Sequence, residues 1–155
     1  MNEQVVKPKS PAKSARRRSR ELAVQGVYQW RLTGEDSAQI EKQIREGSGS
    51  GRYDVEFFKA LLLGTLLQRV SLEKLVGAHI DRPMHELSPI EFSILLLGAY
   101  EFTHHVEIPY RVIINESVEL TKTFGGTDGH KYVNGVLDKL AAQIRLAEIQ
   151  SKAEK

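Results

Sequence analysis

The chain has 155 residues, 41% of them hydrophobic, and it contains no cysteine. This length and composition suit one globular domain with a real core. The lack of cysteine excludes disulfides, thiol nucleophiles and zinc sites built on thiolates. No apolar run is long enough to span a membrane, and the N-terminus has no secretory signal, so we expect a cytoplasmic protein.

The net charge of +2 is unevenly distributed along the chain. Residues 1–20 contain seven lysines and arginines against Glu3 alone, whereas the remainder contains 15 basic and 19 acidic residues. A basic arm attached to a mildly acidic body is typical of proteins that bind polyanions.

The chain divides into a disordered basic lead-in over residues 1–13, a helical domain over residues 14–147 and a charged C-terminal tail over residues 148–155. The domain opens with "ARRRSRELAVQGVYQW", residues 15–30, in which four arginines precede an amphipathic helical pattern. Cations at a helix start are unfavourable because of the helix dipole. An ion pair between Arg17 and Glu21 would offset this cost for one arginine only.

Helical apolar spacing continues through the first half of the chain. Asp36 is placed to cap a short helix that ends near Arg45. The "GSGSG" of residues 47–51 predicts a flexible loop. Apolar residues from Val55 to Val70 then predict one helix, and Ser71 opens another that ends before Arg82.

The second half contains the clearest helix start, "SPIEF", with Ser88 as N-cap and Pro89 in the first turn. The helix that follows is apolar on most sides and should be buried, with Gly98 allowing a neighbour to approach. Another helix begins after Pro109 and stops at residues 125–126. Thr127 or Asp128 caps the last helix. We therefore predict an all-α fold of about six or seven helices in a compact bundle.

No pattern typical of an active site is present. No histidine has metal-binding spacing with carboxylates, and no nucleophile elbow occurs. "GGTDGHK", residues 125–131, favours a helix–helix turn, with a phosphate-holding helix start near Lys131 as the alternative. The motifs "INE" and "VNG" contain Asn115-Glu116 and Asn134-Gly135. These residues could equally well serve packing and helix capping as contact RNA. We expect no enzymatic activity, no metal and no cofactor.

The arginine cluster is better explained by a nucleic acid than by a solvated helix end. Gln25 and Tyr28 lie on roughly the same helix face as Arg17, so an amide and an aromatic ring accompany the guanidinium groups. Exposed bases of single-stranded RNA stack on rings and bond to amides. Four arginines neutralising phosphates would give a salt dependence with a slope of about −3.

Four segments occur in an order and spacing that resemble the NusB family of bacterial transcription antitermination factors: "ARRRSRELAVQGVYQW", "SPIEFSILLLGAYE", "IPYRVIINESVELTKTFG" and "HKYVNGVLDK". The resemblance covers about residues 14–145. It implies two packed helical sub-bundles without catalytic activity. It also implies binding of boxA RNA from ribosomal RNA leader transcripts, pairing with the small-subunit ribosomal protein NusE, and assembly on RNA polymerase to suppress termination.

The resemblance assigns functional residues as well. The residues expected to contact RNA are Arg16, Arg17, Arg18, Arg20, Gln25, Tyr28, Asp128, Lys131 and Tyr132. The residues expected to contact the partner protein are Glu86, Leu87, Ser88 and Glu91.

Two alternatives to this function remain open from the sequence. A helical adaptor without RNA binding would tolerate loss of the arginines. If the chain were instead related to the RNA-binding domain of ribosomal RNA cytosine methyltransferases, we would expect a methyl-donor-binding domain after the helical domain. The residues up to Lys155 do not contain one. Self-association is also open, since a homodimer would cover the arginine surface until RNA or NusE arrives.

Overall fold

The computed structural model describes residues 11–48, 51–126 and 128–153. These ranges contain α-helices and one short 3-10 helix over Met84–Glu86, and no strand. The helices are α1 (Pro11–Thr33), α2 (Ser37–Gly47), α3 (Val55–Leu67), α4 (Arg69–Gly77), α5 (Pro89–His104), α6 (Tyr110–Phe124), α7 (Gly129–Ile144) and α8 (Leu146–Ala153). The prediction of an all-α fold is confirmed, although α8 exceeds the predicted number of helices.

Helix α5 forms the centre of the fold. All residues from Phe92 to Ala99 are buried, as its all-round apolar sequence predicts. It packs against α1, α3, α4, α6 and α7. It therefore contacts five of the other helices and holds the centre of the bundle.

The start of α5 follows its local sequence closely. Ser88 Oγ accepts a hydrogen bond from the backbone N–H of Glu91 at 3.1 Å, and Pro89 stands in the first turn. Further along, a Cβ added to Gly98 would lie 3.1 Å from Leu137 of α7. The predicted cap and the predicted close approach are both confirmed.

The break between α3 and α4 differs from the prediction of one helix reaching Val70. The chain leaves helical geometry at Gln68, and Val70 is 70% exposed. Apolar spacing predicted a break here but placed it a few residues too late, after Val70, because Val70 continues the spacing while α4 buries Leu72 and Val76. Periodicity alone locates the boundary between two helices only to within a few residues.

The ends of the domain also differ from the predicted boundaries. Helix α1 already begins at Pro11, so residues 11–13 of the predicted lead-in are helical, and residues 1–10 lie outside the described ranges. The predicted C-terminal tail is helical as far as Ala153. The buried Arg145 precedes α8 and donates to the carbonyls of Phe102 and Ile108 at 2.9 and 3.0 Å. Backbone carbonyls far away in sequence therefore hold the junction of α7 and α8.

Three local expectations concern caps and loops. Asp36 caps α2 by accepting from the Gln39 N–H at 3.3 Å, as predicted. Part of the predicted loop over residues 47–51 and the candidate cap Thr127 lie outside the described residues. Asp128 occupies the cap position of α7 without a side-chain hydrogen bond to the helix. Within the described residues, no helix is long and apolar enough to cross a bilayer.

Candidate nucleic-acid interface

The arginine cluster does not stand at the start of a helix. Because α1 begins at Pro11, Arg16 lies more than one turn inside it. The dipole effect fades within the first turn. The predicted electrostatic penalty was therefore wrong, since it rested on a helix start placed too late.

Two of the four arginines form hydrogen-bonded ion pairs with carboxylates of α5 and α6. Arg17 donates from Nε and Nη2 to Glu116 of α6 at 3.0 and 2.8 Å. This hydrogen bonding to Glu116 raises the pKa of Arg17. The predicted pair of Arg17 with Glu21 is wrong, because Glu21 instead accepts from Arg18 at 3.0 Å.

Arg20 is buried, with only 5% of its surface exposed. It donates from Nε and Nη2 to Glu101 of α5 at 2.9 and 2.8 Å. Burial is the largest single effect and opposes its charge, but the hydrogen bonds to Glu101 together with the negative charges of Glu101 and Glu116 outweigh it and raise the pKa of Arg20. The guanidinium of Arg20 therefore lies beneath the surface on which the sequence placed it.

Arg16 and Arg18 have more exposed side chains, at 42% and 40%. Arg16 lies over the ring of Phe57 at 4.3 Å and is 3.9 Å from the carboxylate of Asp54. Arg18 pairs with Glu21 on its own helix. Exposed pairs of this kind are weak, so both arginines are available to an external anion.

Gln25 and Tyr28 line a groove on the C-terminal half of α1. The groove has a volume of about 420 Å³, and Ile90 of α5 and Phe124 of α6 close its far side. Its walls are mainly apolar, and the exposed Gln25 contributes to the lining. Sequence reasoning missed Ile90 and Phe124 because their contribution depends on three helices meeting.

A second part of the predicted surface lies at the start of α7. The ring of Tyr132 carries the Arg82 guanidinium at 4.6 Å, and its hydroxyl donates to Asp81 at 3.2 Å. Lys131 and Asp128 are both exposed and lie 3.7 Å apart. Arg82 escaped the sequence reasoning because the segment before α5 gives no periodic signal.

The groove and the start of α7 adjoin through α5. A Cβ added to Gly129 would lie 2.7 Å from Glu91 Oε2, and Glu91 follows Ile90, which lines the groove. The first turn of α5 therefore borders both the groove and the start of α7, although the residues of these two regions are distant in sequence.

The residues predicted to contact a partner protein occupy the edge of the same region. Leu87 is buried and the hydroxyl of Ser88 caps α5, so their side chains serve the fold. The carboxylates of Glu86 and Glu91 remain at the surface. In the described part of the chain, no group of histidine and carboxylate side chains could hold a metal ion.

The sequence that forms this surface matches a known protein family. The family model described as "NusB family" matches residues 17–142, which is most of the folded chain. The chain belongs to the NusB family.

Relatives within the NusB family are close in sequence. The chain is 56% identical to the transcription antitermination protein NusB of Dechloromonas aromatica over 146 residues, covering 94% of this chain and 90% of that protein. It is 55% identical to the protein of the same name from Burkholderia vietnamiensis, covering 90% of this chain and 97% of the relative. The resemblance that the sequence motifs indicated is confirmed.

Solved NusB structures share the fold. A crystal structure of the antitermination factors NusB and NusE in complex with double-stranded RNA matches with a TM-score of 0.73 and 23% identity, covering 80% of this chain and 93% of that chain. The NusB of T. maritima matches with a TM-score of 0.69 and 25% identity, covering 81% of this chain and 89% of that chain. The arrangement of helices described above is therefore that of NusB.

Proposed function

We propose that this chain is a transcription antitermination factor that binds boxA-type single-stranded RNA of ribosomal RNA leader transcripts. It acts with NusE and helps RNA polymerase resist premature termination. The naming of its relatives supports this activity. A structural neighbour contains NusB with NusE and RNA, which supports the choice of partners.

The observation that carries the proposal is the groove together with the arginines on the same helix. Arg16 and Arg18 offer exposed guanidinium groups for phosphates. Along α1, the groove offers the ring of Tyr28, the amide of Gln25 and the ring of Phe124. Single-stranded RNA is recognised in this way, because its unstacked bases bind to rings and amides while the backbone binds to cations.

The start of α7 extends this surface. Lys131 supplies a further exposed cation. Tyr132 supplies an aromatic ring, which is held in position by the guanidinium of Arg82 and by the hydrogen bond of its hydroxyl to Asp81. Asp128 lies 3.7 Å from Lys131 and lowers the net positive charge of this part of the surface. Arg82 joins the predicted set as a further RNA contact.

NusE would bind beside the RNA, where Glu86 and Glu91 present carboxylates. Glu86 is the last residue of the 3-10 helix, and Glu91 lies in the first turn of α5. A basic protein partner at this edge would extend the RNA surface across both proteins. We assign no catalytic role and no cofactor to the chain and place it in the cytoplasm, and a homodimer remains an alternative resting state.

The experiment that tests the proposal measures fluorescence anisotropy of a labelled boxA oligonucleotide, a scrambled oligonucleotide and a boxA duplex, each with and without NusE. Tight binding of the single-stranded boxA sequence, strengthened by NusE, supports the proposal. Equal affinity for the boxA and scrambled sequences would reduce the surface to a generic basic arm. Preference for the duplex would contradict recognition of unstacked bases.

A further inference from the structure

Arg17 and Arg20 belong to a group of charged side chains that joins three helices. Both lie on α1, whereas Glu101 lies on α5 and Glu116 on α6. Besides its bonds to Glu101, Arg20 comes within 3.9 Å of Glu116 through Nη1. The two arginines therefore share Glu116, which ties the RNA-binding helix to the body of the protein.

Arg17 differs from Arg20 because it reaches the surface. Its side chain is 32% exposed, whereas that of Glu116 is only 9% exposed. The guanidinium is thus close enough to solvent to meet a phosphate, but its Nε and Nη2 donors are already directed at the Glu116 carboxylate. Arg17 is therefore kept from binding a ligand by its ion pair with Glu116 and not by burial.

The surroundings of Arg17 are acidic. Glu21, Glu116 and Glu119 line one cleft together with Arg17. A phosphate entering this cleft would lie beside three carboxylates, which is unfavourable, although Glu21 also pairs with Arg18 and Glu119 with Lys122. Arg16 and Arg18, in contrast, are each within ion-pair distance of one exposed or half-buried carboxylate.

We propose that Glu116 is a positioning residue that withholds Arg17 from RNA, so that the arginine cluster is divided in function. Arg16 and Arg18 contact phosphates, while Arg17 and Arg20 fix α1 to α6 and α5. Glu116 thereby sets both the orientation of α1 and the number of arginines offered to the RNA. This inference rests on the proposed RNA-binding function.

The first test measures the affinity of Glu116→Gln for the boxA oligonucleotide over a range of salt concentrations. The substitution removes the charge that holds Arg17, so one more phosphate contact forms. The salt slope steepens by about 0.7, and affinity at 0.1 M salt rises about fivefold. Glu41→Gln is the matched control, because Glu41 is equally buried and holds the half-exposed Arg45 at 2.7 Å on α2.

Freeing Arg45 leaves the salt slope for boxA unchanged, since Arg45 lies outside the proposed surface. An equal gain in both variants would show that added net charge explains the effect and would overturn the proposal. A loss of affinity in Glu116→Gln, with the melting temperature preserved, would overturn it as well.

Substitutions of the arginines provide the second test. Arg16→Ala and Arg18→Ala each flatten the salt slope by about 0.7. The double variant Arg17→Met with Glu116→Leu replaces the pair by apolar side chains of similar size and avoids leaving a buried charge alone. It keeps the wild-type slope if Arg17 does not contact RNA. A slope as flat as that of Arg16→Ala would contradict the division.

A third measurement needs no RNA, and it separates this inference from the proposed function. The full chain is treated with phenylglyoxal, which modifies free guanidinium groups, and the modified sites are quantified by mass spectrometry. Arg16 and Arg18 react first, Arg17 reacts slowly and Arg20 slowest, and Glu116→Gln accelerates Arg17 alone. Wild-type Arg17 reacting as fast as Arg16 would overturn the inference, whereas failure to bind boxA would overturn the proposed function instead.

Discussion

Arg20 of α1 and Glu101 of α5 form a buried ion pair in which two guanidinium nitrogens donate to the two carboxylate oxygens at 2.9 and 2.8 Å. The residues are 5% and 2% exposed. The pair satisfies both partners where water is excluded, so each residue needs the other. An arginine from a sequence cluster that looks wholly superficial is thus part of the interior.

Removing one member of this pair should destabilise the fold strongly. Arg20→Ala leaves the Glu101 carboxylate buried without its partner, which costs about 3–5 kcal/mol in the free energy of unfolding. The double variant Arg20→Met with Glu101→Leu should recover most of this loss. Urea unfolding measures both, with Arg18→Ala as the control, since its exposed pair contributes about 1 kcal/mol or less. Equal effects of Arg20→Ala and Arg18→Ala would contradict the structural role.

Loss of the ring of Tyr28 should weaken RNA binding without weakening the fold. Tyr28→Leu keeps an apolar side chain in the groove but removes the stacking surface, which costs about 1–3 kcal/mol of binding per base. Tyr110→Leu is the control, because Tyr110 is a half-buried tyrosine at the start of α6 that does not line the groove. Fluorescence titration with boxA RNA measures both. An equal loss of affinity in Tyr110→Leu would contradict a specific role of the groove in binding RNA.

The pKa of Asp81 should depend on Arg82. Hydrogen bonding to Arg82 lowers the pKa of Asp81 below its ordinary value, and the Tyr132 hydroxyl contributes a smaller effect in the same direction. The stabilising contribution of Asp81 is therefore complete above its ordinary pKa and is lost as the pH falls through the lowered value.

Arg82→Ala should raise the pKa of Asp81 back towards that ordinary value, and Tyr132→Phe should raise it less. Carbon-13 NMR titration of the carboxyl group checks the order of the two effects. A larger rise in Tyr132→Phe than in Arg82→Ala would show that the hydroxyl, and not the guanidinium, governs this carboxylate.

Two glycines in helices should respond to alanine in opposite directions. A Cβ on Gly64 of α3 would collide with the ring of Tyr100, so Gly64→Ala should destabilise by about 1–3 kcal/mol. A Cβ on Gly135 of α7 would meet nothing within 4 Å. Gly135→Ala should therefore stabilise by about 0.4–1 kcal/mol, because alanine reduces the freedom of the unfolded chain. Thermal and urea unfolding check the two signs, and destabilisation by Gly135→Ala would indicate contacts that the structure does not contain.

The cap of α5 offers a milder test of the fold. Ser88→Ala removes the acceptor for the Glu91 N–H and should cost about 1 kcal/mol in the free energy of unfolding. Ser71→Ala, at an exposed position on α4, should change it by about 0.5 kcal/mol or less. If the two substitutions gave the same result in urea unfolding, the hydroxyl of Ser88 would contribute nothing as a cap.

The helices that the sequence predicts best are those with strong local signals. The Ser88 cap, the apolar run after it and the Asp36 cap each depend on residues within one or two turns. The exact position of the break at Gln68 and the helix after Arg145 lacked such signals, because packing against distant helices and carbonyls decides them. Boundaries that depend on tertiary contacts cannot be read from a local pattern.

The candidate site, too, was predicted in part from local sequence and decided in part by tertiary structure. Sequence alone determined that the protein is helical, that it carries a basic first helix with Gln25 and Tyr28 on it, and that it resembles NusB, since these follow from local spacing and motifs. Tertiary structure alone decided that Ile90 and Phe124 complete the groove. It also decided that Arg17 and Arg20 turn towards Glu116 and Glu101, which are 99 and 81 residues away along the chain. The physical reason is that a charge cluster has no direction in sequence, and only packing of α1 against α5 and α6 fixes which guanidinium groups meet carboxylates and which meet solvent.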